Sequence, residues 1–329
     1  MSFKDKLKNK ILNQSDMYNF YKKEYESSQK KLQQHDKILD SYQNLFNTLY
    51  LDYELQPKGL LKDIQEVCTE LLVFISKICE KYEINWWLNY GNLLGAVRHG
   101  SFVPWDDDTD IGMMREDYDK FVEAINKEIK EKNIDWIELR WRRNVNEYVK
   151  KAVDGKPTYS FLQIFLNKPG FNHTLAQVDV FPYDYIKDYD GKDINKEYYD
   201  TKMIFYRDIA NGLSLEEVME KYYNNLNLSK EKQDYFIPGA EGAHGKKFLY
   251  KLTVFESAKV FPLKTIDFKG HEFPCPNDYD YYLRSIYGHY MRIPKTVRAH
   301  GRLNKLRYDD QELLEKSIEE LREFNENFK

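Results

Sequence analysis

The side chains able to do chemistry crowd into residues 84–118 of this 329-residue chain, INWWLNYGNLLGAVRHGSFVPWDDDTDIGMMREDY. Asp106, Asp107, Asp108 and Asp110 stand there among Phe102, Val103, Pro104, Trp105, Ile111 and Met113. A merely solvated acidic loop fits such apolar neighbours badly, because unpaired carboxylates are costly to bury. If 106–111 is extended, Asp106, Asp108 and Asp110 share one face, and Asp107 and Thr109 take the other. Like charges that close raise one another's pKa values unless a cation neutralises them. All-oxygen donors suit a hard divalent ion, Mg²⁺ or Mn²⁺ in place of zinc. A further carboxylate has to converge from another strand, and Asp179 in Gln177-Val-Asp-Val-Phe-Pro is the candidate. Its neighbours Val178 and Val180 face the opposite way. Tyr90-Gly91-Asn92 sits between a strand and a short helix, where backbone N–H groups and the helix dipole favour a phosphate. No Walker-type phosphate loop is present.

The elements that must position these groups follow from hydrophobic periodicity. Residues 60–82 repeat Leu61, Ile64, Val67, Leu71, Phe74 and Ile78 at helical spacing, the mark of core packing. A short buried strand is expected at 84–89, a short helix at 93–99 and a strand at 109–113. A helix at 118–131 follows, then strands at 134–142, 160–166 and 177–181, the last ended by Pro182. Residues 196–250 form a polar, largely helical insertion, and a charged helix spans 310–328. That order predicts an α+β fold with a mixed sheet. Residues 56–329 thus read as one catalytic domain.

Residues 1–55 read differently. Steps of four and three link Leu7, Ile11, Gln14, Tyr18, Tyr21, Tyr25, Ser28, Leu32, His35, Leu39, Tyr42, Phe46 and Leu49, and no Gly or Pro intervenes before Pro57. This predicts a long amphipathic helix that either packs on its own domain or makes a homo-oligomer as a coiled coil. Lys4, Lys6, Lys8 and Lys10 surround Phe3, Leu7 and Ile11, a basic start suited to peripheral contact with an anionic membrane.

Composition narrows the class. With 42% hydrophobic and 32% charged residues the chain is expected to fold, and a net charge of −4 argues against nucleic acid as a partner. No stretch nears the roughly 20 apolar residues of a membrane span, and the first residues lack a signal-peptide core. Cys68, Cys79 and Cys275 have unrelated spacings, so neither zinc nor disulfides are expected, and a reducing cytoplasm is the expected location.

The run NYGNLLGAVRHGSFVPWDDDTDIGMMREDYDKF resembles the signature of the LicD/fukutin family. VDVFPYD and YDYYLRSIYGHYMRIP resemble its downstream strand and C-terminal segment, so the likeness spans residues 84–300. The resemblance implies a nucleotidyltransferase-like core that transfers phosphocholine or a polyol phosphate from a CDP-activated donor to a cell-surface glycan. It assigns Asp108, Asp110 and Asp179 to catalysis and metal binding, with Asp106 joining the metal set. The acceptor hydroxyl then attacks the phosphorus bearing the alcohol, CMP leaves in line, and Asp179 is the expected base. Gly91, Asn92, Arg98 and Arg115 are the expected donor contacts, the two arginines as phosphate clamps. Arg298 and His300, with Arg302, form a late basic group for an anionic acceptor, while His99 is expected to order its loop. Five Trp and 27 Tyr would furnish an aromatic cage for choline, although most aromatics belong to the core. Asn92 stands where many relatives of the wider fold carry Ser or Thr, and the N-terminal helix lies outside the likeness. Two rival functions are a nucleotidyltransferase that attaches the nucleoside monophosphate itself and a non-catalytic coiled-coil scaffold.

Overall fold

A computed structural model describes residues 3–49, 56–141, 160–168, 176–241, 252–294 and 311–328. By contacts the chain divides into two units, Met1–Leu55 with Arg292–Val297, and Gln56–Met291 with Arg298–Lys329. In the first, helix α1 (Phe3–Leu49) is the long N-terminal helix expected from its breaker-free sequence. Near its end Gln43 donates to the Ile293 carbonyl at 2.7 Å, and the Ile293 N–H donates to Asn47 Oδ1 at 3.0 Å.

The second unit is an α+β fold around a mixed sheet. After Gly59, whose φ of 57° few other residues adopt at low cost, α2 (Leu60–Lys81) buries Ile64, Val67, Leu71, Phe74, Ile75 and Ile78 completely. Strand β1 (Trp87–Leu88) is shorter than its apolar run suggests, because α3 (Tyr90–His99) begins earlier, capped by the Asn89 side chain. Then come β2 (Thr109–Met114), α4 (Arg115–Glu131), β3 (Ile137–Trp141), β4 (Leu162–Leu166) and β5 (Ala176–Ile186). The central order is β1-β2-β5-β4-β3, with β2 and β5 parallel and the other pairs antiparallel. Parallel neighbours need a long crossover, which α4, β3 and β4 supply.

Strand β5 corrects the expectation that Pro182 ends it. The strand runs on to Ile186 and changes partners on one edge: β4 reaches only Val180, and β7 (Tyr235–Pro238) begins opposite Tyr183. The Pro182 carbonyl accepts the Gly239 N–H at 2.9 Å. Its missing N–H therefore falls in the gap between β4 and β7, where no ladder bond is lost.

The insertion holds α5 (Asn195–Ala210) and α6 (Leu215–Leu226), the latter opened by a Ser214–Glu217 capping box. They pack around their own core of Phe205, Tyr206, Val218 and Tyr222, with β6 (Leu228–Ser229) joining the end of β5. Strand β8 (Phe255–Glu256), helix α7 (Ser257–Val260), the hairpin β9 (Lys264–Phe268) with β10 (His271–Cys275), α8 (Tyr279–Tyr287) and α9 (Gln311–Glu326) complete the unit. α9 lies along α2, where Phe324 and Phe328 meet Phe74 edge-on. All three cysteines are buried and none is in a disulfide, and no helix among the described residues is long and apolar enough to cross a membrane.

Candidate active site

The parallel pairing of β2 with β5 sets Asp110 directly beside Asp179. Register neighbours share a face at about 5 Å, so two carboxylates from distant segments meet while Ile111, Met113, Val178 and Val180 fill the opposite face, fully buried. Asp179 is held by amides. Gln163, its partner across β4, donates to Oδ1 at 2.8 Å, and Gln177 donates to the same oxygen. Asp110 is held through its backbone: its N–H donates to Asn92 Oδ1 at 2.5 Å, and its carbonyl accepts the Asn89 N–H at 3.0 Å.

The strand lies where expected, and the extended conformation considered for 106–111 does not hold for its first three residues. It starts at Thr109, and residues 106–108 are irregular. The Asp106 N–H donates to the Val103 carbonyl at 2.8 Å and its own carbonyl accepts from Gln65 Nε2 at 2.9 Å, so its backbone serves a turn and not the ladder. Asp107 and Thr109 are fully buried, Asp108 is buried, and Asp106 and Asp110 are half-buried.

The entry to α3 explains Gly91 and Asn92. A Cβ on Gly91 would lie 2.6 Å from Asp106 Oδ2, so glycine lets that carboxylate close against the helix start. Asn92, 1% exposed, grips the Asp110 N–H through Oδ1, while its Nδ2 finds no partner among the described residues. Its role is to fix the strand under Asp110, and the oxygen of a Ser or Thr could accept the same bond. Beside it lies a buried polar knot: Asn89 Nδ2 donates to the Tyr183 hydroxyl at 2.9 Å, the Tyr282 hydroxyl donates to Asn89 Oδ1 at 2.9 Å, and Trp87 Nε1 donates to Tyr282 at 3.1 Å. Burial pushes both phenols well above their ordinary pKa, so they stay neutral donors. The knot ties α8 to the N-terminus of α3.

Tyr287, at the end of α8, feels the aspartates and was not singled out from the sequence. It exposes 42% of its surface, yet desolvation, followed by the charges of Asp110, Asp106 and Asp108, pushes its phenol far above the usual value. The phenol therefore stays protonated in the field of these carboxylates. The available signal was the Tyr-Gly step at 287–288 inside YDYYLRSIYGHYMRIP, where the helix stops at Gly288 with φ 66°.

The two arginines are turned to other work. Arg98 donates from Nε to His99 Nε2 at 2.9 Å and from Nη1 to the Tyr290 carbonyl at 2.9 Å, and it lies over the Trp105 ring. Burial and then Arg98 lower the His99 pKa to about 4, which keeps the imidazole a neutral acceptor and a loop anchor. Arg115 is buried, with Nε and Nη2 on Asp184 at 2.8 and 3.0 Å and Nη1 and Nη2 on Glu241 at 2.8 Å each. A fork filled by two carboxylates has no room for a phosphate, which corrects the clamp expectation for Arg115. A Cβ on Gly239 would lie 2.7 Å from Arg115 Nη2, so glycine closes this centre too. Arg298, His300 and Arg302 lie outside the described residues.

Among the described residues, no three His, Cys, Asp or Glu side chains are gathered as a ready-made metal cage. The all-oxygen donor set fits a different arrangement, in which one or two carboxylates hold Mg²⁺ and substrate phosphates and water complete its octahedron.

Residues 83–225 match the LicD/FKTN/FKRP nucleotidyltransferase domain. The matched stretch is similar to that family's domain. The match takes in Gly91, Asn92, the aspartate cluster and Asp179, whereas α1 and Tyr279–Tyr287 fall outside it. Over 67 residues the chain is 43% identical to the lipopolysaccharide cholinephosphotransferase LicD of Haemophilus influenzae, covering 20% of this chain and 25% of that protein. Over 44 residues it is 43% identical to the ribitol 5-phosphate transferase FKRP of Homo sapiens, 13% of this chain and 9% of that protein. The chain thus spans a quarter or less of these LicD-family relatives.

Proposed function

We propose that the chain is a metal-dependent phosphotransferase, moving a phosphorylated alcohol (phosphocholine or a polyol phosphate) from a CDP-linked donor to a hydroxyl of a cell-surface glycan and releasing CMP. The carrying observation is the placement of Asp110 beside Asp179, with Asp108 just before the strand start. Bare carboxylates repel a diphosphate, so the same geometry makes sense only with a cation between them. Asp108 and Asp110 would hold Mg²⁺ or Mn²⁺, with Asp106 and Asp179 nearest to add ligands. Such an ion, when bound, neutralises the diphosphate and the departing CMP.

The chain's own residues do the rest. Asn92 and Asn89 pin the Asp110 backbone from both sides, which fixes its carboxylate against the repulsion of its neighbours. The acceptor oxygen forms its bond to the phosphorus bearing the alcohol as the bond to the CMP oxygen breaks. Asp179, with Oδ1 held by Gln163 and Gln177, takes the acceptor's proton. In-line displacement asks little more of the protein than positioning and charge stabilisation.

The names of the LicD and FKRP relatives, a cholinephosphotransferase and a ribitol 5-phosphate transferase, support the alcohol class without choosing within it. A thermal-shift and CMP-release screen of CDP-choline, CDP-glycerol and CDP-ribitol, each with Mg²⁺ and with EDTA, tests the reading. Stabilisation and CMP release with one donor, lost in EDTA, are expected. Donor binding of equal strength in EDTA would show that the carboxylates do not address the phosphates. Product mass separates transfer of the phosphorylated alcohol from attachment of the nucleotide.

A further inference from the structure

Most of the exposed large apolar side chains among the described residues belong to α1, and they are ordered. Tyr18, Tyr21, Tyr25, Leu32, Leu39 and Phe46 follow steps of three, four and seven, and their exposures run from 40% to 68%. Between Tyr18 and Leu49 this seam extends about 48 Å at 1.5 Å per residue, which is more than four heptads and enough to sustain a coiled coil. A straight helix drifts about 20° per heptad away from a strict seven-residue stripe. A flat surface therefore cannot follow the seam along its length, whereas a second helix supercoiled around it can. Helices this long take most of their stability in water from packing of the apolar stripe.

The flanking residues say which helix. In a parallel, in-register pair, the residue before each seam position of the first type faces the partner residue five places later. Lys31 of one copy then faces Asp36 of the other, twice by symmetry, and Glu24 faces Gln29, so no like charges meet. Polar Ser28 and His35 interrupt the seam. In register each meets its own counterpart, whereas antiparallel alignments set them against Leu32, Leu39 or Tyr25. A polar residue on the seam is a register device of this kind.

We propose that α1 pairs in parallel and in register with α1 of a second copy of this chain, through the seam from Tyr18 to Leu49. The full chain should scatter light with the mass of two copies. The double variant Leu32→Glu/Leu39→Glu should weaken self-association at least tenfold, and Gln34→Glu on the outer face should leave it unchanged. Ser28→Cys should form an intermolecular disulfide under mild oxidation, and Gln34→Cys should not; the native cysteines are buried and do not compete. A wild-type chain that scatters as a single copy at tens of micromolar overturns the proposal, as does a seam variant that stays fully associated. Failure of Ser28→Cys to cross-link overturns the register even where mass shows a dimer. Co-sedimentation with anionic phospholipid vesicles by a single-copy wild type would assign the stripe to a membrane surface instead. None of these readouts depends on the phosphotransferase reading.

Discussion

Arg115→Met is the sharpest test of how charge is divided in this fold. The guanidinium makes four hydrogen bonds to Asp184 and Glu241, and all three side chains are at least 95% buried. Truncating one partner of a buried ion pair costs about 3–5 kcal/mol, because the other charge is left uncompensated. Here two carboxylates lose one cation, so the upper end, about 5 kcal/mol, is expected. A folding unit of this size loses about 2–4 °C per kcal/mol, which gives a melting temperature lower by about 10–20 °C. The deficit should shrink as pH falls. Unpaired buried carboxylates titrate above their ordinary values and take up protons in the folded variant. Lys202 adds to this: burial lowers its pKa to about 7, and the charge of Glu241 favours its protonated form. At pH 6 it is charged and partly compensates Glu241, and at pH 8 it is not. Thermal melts of both proteins at pH 6 and pH 8, with activity measured below the melting range, decide the matter. A variant that melts like wild type but needs far more CDP-choline for half-maximal rate would put Arg115 on the donor and refute the structural assignment.

Asp110→Asn should lower turnover by about 100-fold or more while the melting temperature in EDTA stays level or rises, since a repelling charge is gone; near-wild-type activity in saturating Mg²⁺ would dismiss the cluster as catalytic. Gly91→Ala should push Asp106 off the start of α3 and weaken donor binding in calorimetry, with unchanged binding showing that the 2.6 Å contact is relieved harmlessly. Tyr287→Phe keeps the ring and Tyr287→Ala removes it, so a raised KM in the alanine variant alone assigns the ring, and a loss in both assigns the hydroxyl. Lys202 titrates near 7 folded and near 10.5 unfolded, so the unfolded chain holds the extra proton between these values. Wild-type stability should therefore climb from pH 7 to pH 10 by up to about 1.4 kcal/mol per unit more than Lys202→Met does, and parallel denaturation curves would show that the ammonium is not desolvated.

The elements were legible where periodicity was strong. α2, α4 and α9 lie where their 3.6-residue stripes place them, and β2 and β4 where short apolar runs stand between turns. The strand positions of Asp110 and Asp179, which the structure sets side by side, were legible because a carboxylate in an apolar strand has so few bland explanations. What failed did so for tertiary reasons. Pro182 reads as a strand end, and only the change of partner from β4 to β7 shows that its lost donor is harmless. Arg115 reads as a clamp because it lies near the aspartates in sequence, but Asp184 and Glu241 meet it only through β5 and the residues after β7. Tyr287 was one tyrosine among 27, and the Tyr-Gly step that ends its helix does not by itself tell a phenol near carboxylates from a core aromatic.

The β2–β5 pair carries both problems and their solution within one register. Asp110 stands beside Asp179, a rung of like charges that favours slippage or separation of the strands. The ladder continues to Met114 beside Tyr183, and at the following positions Arg115 and Asp184 close an opposite-charge contact through two hydrogen bonds. A slip of one residue would move Ile111 and Val180 out of the core and at the same time break the buried fork. The repelling rung is thus held in place by the ion pair five residues on, where Arg115 opens α4 beside Asp184 of β5. Arg115 then matters to chemistry without touching it. It keeps Asp110 and Asp179, the carboxylates of the proposed site, at a spacing that electrostatics alone would open.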